Sequence, residues 1–185
     1  MATTNTVARS LHELGLAAWF GGSLMGAVGL NGAAAEVDSK EQRARVANAG
    51  WNRWTPVNLG AIAAHLAGSS LLTLGNKSRL ASQKGVGATS IAKTGVTAAA
   101  LAATAWSRAL GRKVAAAGDV PVEGGAAPAP ETPPDVADAQ RKLEKLQWAI
   151  PALTGLLVVA DALMGEQQRP SQVAAGVARR LSPAA

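Results

Sequence analysis

Charge is absent from long reaches of this chain and crowded into the segments between them. Residues 14–35 and 54–76 contain no charged side chain. Residues 85–107 are broken only by Lys93, and residues 146–165 only by Asp161. Each reach matches the ~20 residues that a helix needs to cross a bilayer core. A helix facing water carries a polar stripe along one side, and neither 15–30 nor 151–160 has one. The pattern predicts an all-α fold, an integral membrane up-down bundle of four helices at about 11–35, 55–75, 86–110 and 136–166. All 185 residues then form a single membrane domain.

Averaged composition is less decisive. The chain is 48% apolar with a mean hydropathy of only +0.12, which keeps a soluble Ala-rich helical bundle as the competing fold. The average is low because the apolar reaches are built from Ala, Gly, Ser and Thr rather than Leu and Phe. The lack of cysteine excludes disulfides, thiolate metal sites and cysteine nucleophiles. The net charge of +6 gathers at the ends of the apolar reaches, where it suits anionic lipid headgroups. The expected partners are therefore the lipid bilayer and a membrane protein or second copy of the chain, with no nucleic acid. Arg9, the first apolar reach and Ala33, Ala34 and Ala35 have the outline of a cleavable signal. Glu13 and the length of the reach favour its retention as a first span.

Between the apolar reaches, residues 35–53 are rich in Ala and charge, the pattern of a surface helix, and Pro56 suits the first turn of a second span. Residues 114–134 are rich in Pro, Gly and Ala and read as a disordered loop, with too little apolar surface to offset chain entropy. Residues 167–185 form a basic tail. In an up-down bundle Trp51, Trp54, Trp106 and Trp148 fall at one membrane face and Trp19 towards the other, as interfacial tryptophans do. Seven Lys and Arg fall on the face of the N-terminus and ten on the opposite face, a bare count that favours the opposite face as cytoplasmic. The exported character of 114–134 tips the expected orientation to N-terminus inside a cell membrane.

Lys93 and Asp161 are the costly residues, since a charge near the bilayer centre carries a penalty of ~2.5–3.5 kcal/mol on insertion scales. Their depths differ by about four residues of helix rise, ~6 Å, which a lysine side chain bridges. They are the candidate intramembrane polar pair. His12 and His65 are the candidate ligand or hydrogen-bonding residues. With His12 opening the first span and His65 in the middle of the second, their depths differ by ~13 Å, too much for two axial ligands of one haem. Helix–helix hydrogen bonds are the expectation, with no cofactor and no metal. Small residues recur at four-residue spacing, and Gly22, Gly26, Gly60, Gly68 and Gly95 are expected to let helices approach closely.

Residues 87–94, GATSIAKT, imitate a phosphate-binding loop, but Ala92 stands where the second glycine belongs and no apolar strand precedes it. No metalloprotease, Ser/His/Asp or dinucleotide motif is present, so no catalytic residue and no enzyme activity are expected. Residues 11–22, LHELGLAAWFGG, resemble the first helix of copper-resistance D-type and related bacterial four-span membrane proteins. The chain is also similar in style to Ala-rich actinobacterial membrane proteins without Tyr or Cys. The resemblance implies the four-helix fold and makes His12 a candidate copper ligand, while the absence of Cys and scarcity of Met weigh against copper handling. The expected role is a small non-catalytic scaffold or accessory subunit in the membrane. The alternative is a transporter-like or metal- or haem-responsive protein using His12, His65, Lys93 and Asp161.

Overall fold

A computed structural model describes residues 2–75 and 86–167. Among them are four helices and no strand. The first, α1, runs from Ala2–Met25 through a π-helical turn, Gly26–Leu30, into Asn31–Ala35. It is followed by α2 (Lys40–Gly75), α3 (Val86–Ala116) and α4 (Pro134–Gln167). The 76–85 connection and residues 168–185 of the basic tail lie outside the described residues.

The helices outrun the apolar reaches because charged flanks are good helix formers. The expected surface helix and second span are one element, α2, capped by Ser39, whose Oγ accepts the Gln42 amide at 3.3 Å. Pro56 therefore lies inside α2 rather than at its start. It removes one intrahelical hydrogen bond, and beside it Thr55 Oγ1 donates to the Trp51 carbonyl at 2.8 Å. Three helices are long and apolar enough to cross a membrane: α1 over Thr6–Ala35, α2, and α4 over Pro134–Gly165. Among the described residues α3 is not one of them, and Ser90, Lys93, Thr94 and Thr97 fall among its apolar residues. The hydroxyls of Thr94 and Thr97 turn back onto the carbonyls of Ser90 and Lys93, both at 2.9 Å, which satisfies their polarity within the helix.

α1 packs along α2, α3 along α4, and α1 also against α4, whereas α2 and α3 scarcely meet. Small residues such as Ala8, Ala27, Ala44, Ala47 and Ala100 are buried, while Leu14, Met25, Leu59, Ile91 and Leu163 project outward. Close approach of α1 and α2 depends on glycine. A Cβ on Gly68 would lie 2.5 Å from the His12 amide nitrogen, and one on Gly15 would lie 2.5 Å from that of His65. Gly22 and Gly26 receive the rings of Trp54 and Trp51. These contacts share one antiparallel register, with residue numbers across the pair summing to between 76 and 80. Gly60 and Gly95 correct the expectation, because a Cβ on either meets nothing within 4 Å. Small-residue spacing marks a helix face, and only the partner's position decides whether the face is covered.

The π-turn has a local consequence. It carries Asn31 to where its Oδ1 accepts Trp51 Nε1–H at 2.9 Å while its Nδ2 donates to Gln147 Oε1 at 2.7 Å. One amide thus ties α1 to both α2 and α4.

The expected disordered loop at 114–134 is overturned. Val114 still belongs to α3, Pro134 already opens α4, and the residues between them are ordered. Gly118, at φ 76°, turns the chain out of α3 in the left-handed conformation that glycine tolerates. Val122 and Pro128 form an isolated antiparallel bridge. Val122, Ala126, Ala129 and Thr132 are buried. Thr132 Oγ1 donates to the Pro121 carbonyl at 2.6 Å and accepts the Ala129 amide at 2.8 Å. Composition misleads here because this loop borrows partners from α2. The Val122 amide donates to the Lys40 carbonyl at 3.2 Å, Lys40 Nζ pairs with Glu123 at 2.7 Å, and Arg45 pairs with Asp119.

These contacts make a pH prediction. Lys40 hydrogen-bonding lowers the Glu123 pKa, and Arg45 lowers that of Asp119. A carboxylate with a lowered folded-state pKa stabilises at and above its ordinary range and loses that contribution as pH falls through the folded value. The loop should thus stay clasped at neutral pH and loosen only in acid below the usual carboxylate range. Hydrogen exchange at the Val122 and Glu123 amides, corrected for intrinsic rates, measures this. Protection that is absent at neutral pH, or unchanged by Glu123→Gln, would contradict it.

Candidate functional site

Four ionisable side chains from four different helices converge at one place. α1 supplies His12, α2 His65, α3 Lys93 and α4 Asp161. Lys93 Nζ forms an ion pair with Asp161 Oδ1 and lies 2.8 Å from His12 Nε2. His12 Nε2 is in turn 3.2 Å from Asp161 Oδ2. The group is enclosed but not sealed: His12 is 3% exposed, whereas the Lys93 and Asp161 side chains retain 16% and 12%.

The two histidines depart from the depth argument. Their rings are stacked with centroids 4.3 Å apart. Counting from the apolar boundaries misplaced them because α1 begins at Ala2, well ahead of its apolar reach, whereas α2 ends at Gly75 with its own. Measured from the helix ends, His12 lies ten residues into α1 and His65 ten residues before the end of α2. The interface repeats itself: Ala8, His12 and Gly15 in α1 match Ala61, His65 and Gly68 in α2, an A-x-x-x-H-x-x-G pattern on each helix of an antiparallel pair. The Cβ position of each glycine falls on the backbone next to the other helix's histidine. This quasi-repeat was legible in the sequence, but its meaning depends on the antiparallel register.

Partners set the tautomers. His65 Nδ1–H donates to the His12 carbonyl at 3.2 Å, and a carbonyl only accepts. His12 Nδ1 faces the His65 carbonyl at 3.3 Å and Ser69 Oγ at 2.9 Å, so its proton also belongs on Nδ1. His12 Nε2 then offers a lone pair to the Lys93 ammonium. His65 Nε2 is buried without a partner and lies among the His12 and Trp19 rings.

Trp19, expected near a membrane face, is instead fully buried, edge-on to His65, with Nε1–H donating to Thr104 Oγ1 at 3.2 Å. Trp106 and Trp148 are about half exposed. Ser69 and Thr104 carry no distinguishing sequence signal, and hydroxyls are common throughout the chain. Ligand atoms of His12, Glu13 and Asp161 lie within 4.8 Å of one another, close enough to share a cation. Lys93 already brings an ammonium against both His12 Nε2 and Asp161, so a divalent ion would have to displace it. The donor set fits an internal cation better than a metal.

No family model matches this chain, and no curated protein or solved structure matches it either.

Proposed function

We propose that this chain is a four-helix multi-pass membrane protein, a non-catalytic scaffold or accessory subunit whose bundle is fastened by the His12–Lys93–Asp161 centre. The observation that carries the membrane part is the inverted distribution of size. Large apolar side chains such as Leu14, Met25, Leu59, Ile91 and Leu163 face outward, while Ala, Gly, His, Ser and Thr fill much of the interior. In water such a surface is a liability. In lipid it is the solvated side, and association comes from close packing and interhelical hydrogen bonds. Apolar length supports three spans. α3 joins as the fourth because Lys93, the charge that would bar it from lipid, is neutralised by Asp161. The orientation in this reading is N-terminus inside.

The fastening role rests on charge balance. One carboxylate meets one ammonium and one imidazole, all drawn from different helices, so the cluster holds α1, α3 and α4 together without a surplus charge. Carbonate washing of membranes containing the full chain tests the reading. The protein is expected to remain in the pellet and to require detergent for release. Release by carbonate alone would replace the membrane reading with the soluble bundle.

A further inference from the structure

We infer a second site, a ligand cavity between α2 and α3 that takes a single-chain anionic amphiphile. α2 and α3 barely touch, and the space between them is a cavity of about 350 Å³. That volume falls at the small end of the ~300–1,000 Å³ of small-molecule sites. None of His12, His65, Lys93 or Asp161 lines it, so the cavity is distinct from the charged centre. Buried Trp19 separates them, since its indole is edge-on to His65 and bonded to the cavity residue Thr104.

The lining defines the ligand. Trp54, Leu59, Ile62 and Ile150 supply an apolar body. Arg108 is the one charged residue in the lining, which includes no carboxylate. Its Nη1 donates to Asn52 Oδ1 at 2.9 Å, and no ion pair engages it among the described residues. A guanidinium beside apolar and indole surface recognises a carboxylate or phosphate monoester at the end of a hydrocarbon chain. Asn58 also lines the cavity, and its Oδ1 is buried without a hydrogen-bond partner. That oxygen is an acceptor, and water or the hydroxyl of a singly protonated phosphate monoester supplies its donor, which an ionised carboxylate does not. The ordered loop closes one side of the cavity through Gly125 and Ala126. Cavity, cation and unpaired amide are present whether or not the chain lies in a bilayer, so this inference stands apart from the membrane reading.

Trp51 and Trp54 line the cavity and report directly on its occupancy. The purified full chain in non-ionic detergent is titrated with ω-bromododecanoate, its methyl ester and ω-bromododecyl phosphate, reading bromine quenching of tryptophan fluorescence. Saturable quenching by the acid, the phosphate or both, and at least tenfold weaker by the ester, is the expected result. The preferred headgroup is whichever acid binds more tightly. Arg108→Gln should weaken acid binding about tenfold with little effect on the ester. Gly111→Phe should abolish saturable quenching while the protein keeps its melting temperature, because a Cβ at Gly111 meets nothing within 4 Å and the residue borders the cavity. Equal quenching by acid and ester, unchanged binding in Arg108→Gln and Gly111→Phe, or full competition by inorganic phosphate alone would each overturn the inference.

Discussion

Replacing Asp161 with Leu, or Lys93 with Met, is expected to cost the folded bundle ~3–5 kcal/mol, and the double replacement distinctly less than the sum. Asp161 is held by the Lys93 ammonium, which also donates to His12 Nε2 at 2.8 Å. Removing the carboxylate leaves an ammonium against a neutral imidazole in a largely dehydrated place. Removing the ammonium leaves the carboxylate uncompensated beside the lone pair of His12 Nε2. Each single change thus strands one charge. The double variant removes both charges and needs only apolar packing between α3 and α4. Unfolding in detergent, monitored across wild type, both single variants and the double variant, measures the coupling. Additive losses would remove the fastening role from the centre.

Glycine substitutions should divide sharply by site. Gly15→Ala and Gly68→Ala put a methyl against backbone of the opposite helix, where no side chain can swing aside. Overpacking typically costs ~1–3 kcal/mol, and these two should reach the top of that range, because α1 and α2 must separate and their reciprocal histidine bonds lengthen. Gly60→Ala and Gly95→Ala meet open space and should gain up to ~0.5–1 kcal/mol from higher helix propensity. Melting temperatures of the four single variants in one detergent provide the comparison. Similar shifts at all four positions would mean that the α1–α2 contact is looser than the structure has it.

How far the sequence alone reached differs from element to element. The alternation of charge-poor and charge-rich segments located four helices, since apolar length is a local property of the chain. Lys93 and Asp161 stood out for a related reason: each is the one charge within its reach, and a charge in low dielectric requires an explanation wherever the fold places it. Helix ends were less legible. Hydropathy marks what dislikes water, whereas Ser39 capping and the helix-forming flank 40–53 decide where α2 begins.

What only the tertiary structure decided is register. Stacking of His12 on His65 depends on an antiparallel offset fixed by Gly15 and Gly68, and a shift of one helical turn, ~5.4 Å, would part the rings. The same offset covers Gly22 and Gly26 with tryptophan, whereas Gly60 and Gly95, alike in sequence, face open space. Order in residues 117–133 was equally invisible, because its buried Val122 and its partners Lys40, Arg43 and Arg45 lie some eighty residues apart along the chain. Local chemistry sets which residues avoid water and which cannot stand unpaired. Which of them meet is set by the close packing of helices whose contacts are remote in sequence.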